Sequence, residues 1–212
     1  MNVIKTNKFI ILIATSNPHK VKEFQNIFKQ FSLAVSGLPK NQKIPLPIEN
    51  GGSFSENADI KAIHYSCLFP DHWILADDSG LCVDILHGAP GIHSSRFSGI
   101  TGSSEKNNSK LLSMMASYSS LSLRSARFVC CLSLAKNGQI VKRTKGEVHG
   151  KILLEAAGEK GFGYDPLFYY SPFKKTFSQL DEREKNKISH RFRAVRKMAD
   201  FISCFKRKKD TS

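Results

Sequence analysis

The strongest constraint in the chain is a pair of adjacent carboxylates, Asp77 and Asp78, at the end of the apolar run 73–76 (WILA). A short apolar run of this kind reads as a buried strand. Two carboxylates there are costly to bury unless a cation or hydrogen-bond donors compensate. The segment Ala76-Asp77-Asp78-Ser79-Gly80-Leu81 allows two readings. In one it is a tight turn, with Asp capping local backbone and Gly80 supplying positive φ. In the other, carboxylate oxygen holds Mg²⁺ and one Asp activates water. A turn alone does not explain two carboxylates in sequence.

The flanking pattern predicts an α/β protein. Residues 9–15 (FIILIAT) read as a central strand, and Pro18 opens a helix with Val21, Phe24, Ile27, Phe28 and Phe31 at helical spacing. A short strand is expected at 33–35. Residues 37–52, with three prolines and three glycines, form a loop. Ser53 and Glu56 have capping-box spacing and start a helix to about Cys67. An extended segment is expected at 81–86, a turn at 88–91 and a helix over 104–118. Residues 126–135 are a strand, Asn137-Gly138 a hairpin, and 139–143 and 148–154 returning strands. A basic amphipathic helix capped by Ser189 runs to about Phe205. The βα start followed by a meander implies a mixed sheet.

Length and charge set the class. A chain of 212 residues suits one α/β domain or two lobes sharing a sheet. No apolar run is long enough to span a bilayer. The five cysteines (Cys67, Cys82, Cys130, Cys131, Cys204) include no CxxC pair, which points to a reduced, cytoplasmic setting. The net charge is +14, and residues 181–212 carry eleven Lys or Arg against five Asp or Glu. That balance suggests a polyanion partner, either nucleic acid or a phosphate-bearing small molecule. For the terminal tail itself, a solvated basic helix end is the favoured reading over nucleic-acid binding.

Three further motifs carry chemistry. Thr15-Ser16-Asn17-Pro18-His19-Lys20 sits where strand meets helix, offering backbone N–H groups and a Lys to an anion, or else simple helix capping. It lacks the Walker A pattern. Gly161-Phe162-Gly163-Tyr164-Asp165-Pro166 can lay a ring beside a flat ligand, with Asp165 accepting from a base N–H. Glu184-Lys185-Asn186 and Ser189-His190-Arg191 gather cations at a helix start.

Taken together, TSNPHK (15–20), FSENADIKA (54–62), ADDSGLCVD (76–84), GAPGIHSSRFSG (88–99), GFGYDPLF (161–168) and EKNKISHRFRA (184–194) resemble the inosine triphosphatase family, pyrophosphatases of non-canonical purine nucleoside triphosphates. The resemblance implies an elongated, two-lobed α/β fold around a central mixed sheet, assembled as a homodimer. The chain is read as one two-lobed domain over 1–195, followed by the end of a basic helix and a disordered tail over 196–212 that the resemblance does not explain. The implied reaction is Mg²⁺-dependent conversion of dITP, ITP or XTP to the monophosphate and pyrophosphate. By motif, Thr15, Asn17 and Lys20 would hold phosphates, with Ser16, Pro18 and His19 in the same loop and Lys61 nearby. Asp78 would be the catalytic, metal-associated acid, Glu49 a second metal-linked acid, and Ser79 a substrate contact. Phe162, Gly163, Tyr164, Asp165, Lys185, His190 and Arg191 would line the base pocket. Ser16 stands where the family usually has Gly, which raises a question about turnover.

A pocket with donors facing the 6-position would favour a 6-oxo purine over adenine, since a buried unpaired donor costs about 1–3 kcal/mol. The competing readings are a nucleic-acid-binding protein, a silent nucleotide sensor, and a pyrophosphatase of modified pyrimidine nucleotides.

Overall fold

The computed structural model describes residues 10–39, 44–100 and 103–210. The elements are β1 (Ile11–Ala14), α1 (Pro18–Lys29), β2 (Val35–Gly37), α2 (Phe54–Leu68), β3 (Trp73–Val83), α3 (Ser104–Met114), β4 (Ser125–Lys136), β5 (Gln139–Ile152), β6 (Phe168–Tyr170), β7 (Lys175–Thr176), α4 (Glu182–Ile188) and α5 (His190–Asp210). The strands form one mixed sheet in the order β2-β1-β3-β4-β5-β6-β7. The β2, β1 and β3 strands are parallel, and the rest pair antiparallel. This is the expected α/β class; Phe9 of the first expected strand lies outside the described residues.

Local chemistry explains most boundaries. Asn17 caps α1 by accepting from the backbone N–H groups of His19 and Lys20, and Pro18 takes the first helical turn. Ser53 caps α2 through Glu56 N–H (3.2 Å). The return bond of Glu56 goes to Gly52 N–H (2.8 Å) rather than to Ser53, so the capping box is displaced by one residue. The 139–143 and 148–154 segments are one continuous strand, β5, because β4 is long enough to pair along all of it.

Three expectations need correction. Residues 77–80 are not a turn but the middle of β3, paired residue by residue with β4 from Ile74↔Ala135 to Val83↔Ala126. The ladder supplies their backbone partners, overriding the turn tendency of Asp-Ser-Gly. Gly80 has no positive φ; a Cβ there would lie 2.6 Å from the Gly91 carbonyl oxygen, so glycine serves a close approach. The extended reading of 81–86 ends at Val83, where a 3₁₀ turn begins at Asp84.

Two main clusters fill the core. Ile11, Phe24, Ile27, Leu132, Val195 and Met198 pack one, and Leu81, Phe128, Val148, Phe168 and Phe177 belong to the other. Met198, Ala199 and Ile202 are buried, so α5 contributes core beyond residue 195. Arg124 is buried without a carboxylate. Its guanidinium donates to the carbonyls of Ile152 (2.7 Å), Met115, Tyr118 (both 2.9 Å) and Leu153 (2.8 Å), tying the end of α3 to the end of β5. Among the described residues no helix is long and apolar enough to cross a membrane.

Candidate active site

The site lies where one edge of β3 is left open. β1 covers that edge only as far as Ala76. From Leu81 onward the 89–94 segment takes over, through Leu81 N–H to Ser94 Oγ (2.9 Å) and a bridge at Cys82↔Pro90. Residues 77–80 therefore border a cleft at the carboxyl end of a parallel strand, where open α/β sheets bind ligands. Adjacent strand residues face opposite sides, and the partners agree. Asp77 Oδ2 accepts from Lys20 Nζ on α1 (2.8 Å) and from Ser79 Oγ (3.0 Å). Asp78 Oδ1 accepts from Lys61 Nζ on α2 (3.2 Å), and the same ammonium donates to Glu49 Oε2 (2.9 Å). The Glu49 loop is fixed to α2 by Gly51 N–H donating to the buried Asn57 Oδ1 (2.9 Å).

Electrostatics separate the two acids. Burial pushes the Asp77 carboxyl up, but Lys20, Lys61 and Arg191 together outweigh it and hold it at about 2. At Asp78 burial wins over Lys61 and Lys20, and the charge of Asp77 adds to it, so this carboxyl sits above its ordinary range. Neighbouring carboxylates pushed apart in this way mark an acid–base division of labour. Burial lowers the Lys61 ammonium, yet Asp78, Asp77 and Glu49 reverse this and keep it charged.

A cation would find donors here. Asp77 Oδ1 and Asp78 Oδ2 are buried with no hydrogen-bond partner, a cost that a hard cation or its water would remove. Among the described residues no three metal-type side chains cluster. An ion held by one or two carboxylates and completed by phosphate and water is the habit of Mg²⁺.

Next to this edge is a cavity of about 150 Å³, lined among others by Asn17, Lys20, Ser79, Ser94, Tyr164 and Arg191. Its walls are bonded to one another. Asp165 Oδ2 accepts from Lys185 Nζ (2.6 Å) and Phe162 N–H (2.9 Å). Tyr164 Oη donates to the Ser94 carbonyl (2.9 Å). Gly163 N–H donates to Ser104 Oγ (3.2 Å), and Asn108 Nδ2 to the Gly163 carbonyl (3.1 Å), so α3 braces the loop. The Phe162 ring stacks on His19 (5.6 Å) and lies beneath the cations of Lys185 (4.9 Å) and Arg191 (5.1 Å). His190 stacks on Phe128 at 4.8 Å; burial first, then Arg191, Lys185 and Lys20, lower it well below the usual histidine range.

The expected residues thus come from five elements (α1, α2, β3, α4 and α5) and their loops, with Thr15, Ser16 and Pro18 lining a separate cavity beside α1. Thr15 and Asn17 shape the first turn, Thr15 Oγ1 accepting from Asn17 N–H (3.2 Å). Ser16 is exposed and is not among the positive-φ residues, so a side chain there causes no backbone strain. The sequence reading missed Glu23, a buried acid whose Oε2 accepts from Arg191 NH1 (2.9 Å) while Arg191 NH2 donates to Ser79 Oγ (3.0 Å). That chain of bonds joins α1, α5 and β3. Its only sequence signal is an acid on the apolar stripe of α1, next to Phe24. Ser94, which lies in the 88–99 motif but was given no role, was also missed, as were Ser104 and Asn107, isolated polar residues that carry no pattern.

Residues 11–201 match the model of the Ham1 family. The chain belongs to the Ham1 family. Curated relatives include the dITP/XTP pyrophosphatase of Desulfotalea psychrophila, 45% identical over 88% of this chain and 82% of that protein. The dITP/XTP pyrophosphatase of Protochlamydia amoebophila is 42% identical over 91% of this chain and 96% of its own length. Among solved structures, the HAM1 protein of Coxiella burnetii superposes with a TM-score of 0.81 at 34% identity, covering 92% of this chain and 98% of that one. Ham1 membership bears out the resemblance read from the six motifs, and the superposition shows that the Coxiella protein shares this α/β fold.

Proposed function

We propose that this chain hydrolyses non-canonical purine nucleoside triphosphates (dITP, ITP, XTP) to the monophosphate and pyrophosphate. The observation that carries this reading is the open edge of β3. Two buried carboxylates there each keep one oxygen unpartnered, beside Lys20, Lys61 and a donor-lined cavity. The names of the curated relatives, dITP/XTP pyrophosphatase, support the substrate class.

In this reading Asp78 and Glu49, which already meet at one ammonium, would hold Mg²⁺, while Asp77 faces the other side of the sheet with Lys20. The ion would supply positive charge to phosphate oxygens. Asp78, its carboxyl raised by burial, takes a proton from water. The water oxygen forms a bond to the α-phosphorus as the bond to the β-phosphate oxygen breaks, and pyrophosphate departs. Lys20 and Lys61 offset its charge. The base enters the cavity against Phe162, where Arg191, with its Nε unpartnered, offers a donor to a 6-oxo group and opposes the 6-amino group of adenine, while Lys185 holds the Asp165 wall behind it.

The reading includes a cytoplasmic enzyme acting as a homodimer. All five thiols are free, as a reducing compartment would keep them. Exposed Met114, Leu121, Leu123 and Leu154 lie near the carbonyls that Arg124 gathers and offer an apolar face to a second copy. The test is pyrophosphate release from dITP, XTP, ATP and GTP with Mg²⁺. Turnover of dITP and XTP should exceed that of ATP by about tenfold or more; equal rates on all four would sink the proposal.

A further inference from the structure

The nucleotide site leaves most of the net charge of +14 without a role. A groove of about 630 Å³ runs between β5 and the α4–α5 junction, lined by Lys145, Glu147, Lys187, Arg193, Arg196 and Lys197 among others, and it shares no residue with the nucleotide cavity. Lys145 is balanced by Glu147 at 2.7 Å. The other four cations are not balanced in that way. Arg193 donates to the carbonyls of Ile188 (3.2 Å) and Glu147 (2.9 Å), and Lys197 donates to the Lys145 carbonyl (2.7 Å). These neutral acceptors fix the cationic heads while leaving their charge in place. Lys187 and Arg196 are exposed, and neither pairs with a carboxylate among the described residues.

The walls are set by backbone contact. A Cβ on Gly146 would lie 2.5 Å from Ala194 N, so only glycine lets α5 approach β5 this closely. The apolar lining residues Ile188 and Phe192 are half-buried, leaving no protruding apolar side chain to enter a lipid layer. A concave row of four uncompensated cations fits a chain of phosphates.

We propose that this groove binds the phosphate backbone of nucleic acid without reading base sequence. Four phosphate contacts give a log–log salt slope of about −2.8 on a single strand, so affinity falls about fiftyfold between 50 and 200 mM salt. The probe is a fluorescein-labelled 20-residue oligo-dT, with binding followed by anisotropy. Replacing two of the four cations (Lys187→Gln with Arg196→Gln) should weaken binding at 50 mM salt and reduce the salt effect to about sevenfold. A control with the same loss of charge outside the groove, Lys29→Gln with Lys106→Gln, should keep the fiftyfold effect. Unchanged melting temperatures show that both variants fold. The proposal is overturned by absence of oligo-dT binding at 50 mM salt, by equal salt effects in wild type and groove variant, or by an equal loss in the control. Binding to anionic phosphatidylserine vesicles without binding to oligo-dT would overturn it as well.

Discussion

The phosphate half of the site and its base half are built on opposite principles. In the phosphate half, Asp77 and Asp78 each bury an oxygen with no partner. In the base half, Asp165, Tyr164 and Gly163 spread their polar groups over Lys185, Ser94 and Ser104. The first half leaves both of its acids incomplete until substrate and cation arrive; in the second the acid and tyrosine of the loop are partnered beforehand, and the atoms left without a partner are donors or acceptors on His190, Arg191 and Asn108. Free energy left unrealised at Asp77 and Asp78 is available for charge that appears during reaction, whereas a pre-bonded pocket is suited to discrimination. Substitutions in the first half should therefore cost rate, and substitutions in the second should cost stability.

The largest expected effect is at Asp78. Asp78→Asn should lower kcat by about 10²–10⁴-fold while leaving the melting temperature unchanged or raised, because one of two like buried charges is removed. Near-normal turnover would move the proton-accepting role to Asp77 or Glu49. Lys185→Met tests the other half. It strands the buried Asp165 carboxylate and should cost about 3–5 kcal/mol in chemical denaturation. Adding Asp165→Asn should restore part of that loss. Wild-type stability in Lys185→Met would break the contrast between the halves.

Titration sharpens it further. His190 has its folded pKa depressed, so the unfolded chain binds its proton first. Its contribution is fully present above about pH 6.5 and is lost as pH falls below it, by at most about 1.4 kcal/mol per pH unit. His190→Gln should flatten the melting temperature between pH 6.5 and 5; an unaltered profile would contradict the assignment. The smallest effect belongs to Ser16→Gly. Exposed and unstrained, Ser16 should change kcat/KM within about twofold, and a tenfold change would show that its side chain takes part in phosphate binding.

The sequence was legible where chemistry is local. Asn17 and Pro18 announce α1, Asn137-Gly138 announces the β4–β5 hairpin, and the carboxylate pair announces a site. It was misleading at 77–80, where Asp-Ser-Gly resembles a turn but a 10-residue register with β4 keeps the chain extended. That register depends on residues some fifty positions away, and the reason for Gly80 is the approach of Gly91 and Ser94 across an intervening turn. Glu23 and Arg124 were invisible for the same cause, since their partners come from α5, α3 and β5. Local pattern identified the acids; only tertiary pairing showed that they face opposite sides of the sheet.

The central claim is that water held at Asp78 attacks the α-phosphorus. Hydrolysis of dITP in H₂¹⁸O, with products resolved by mass spectrometry, tests it directly. The account predicts the label in dIMP and none in pyrophosphate. Label in pyrophosphate, or release of labelled orthophosphate, would place the attack on another phosphorus and contradict it.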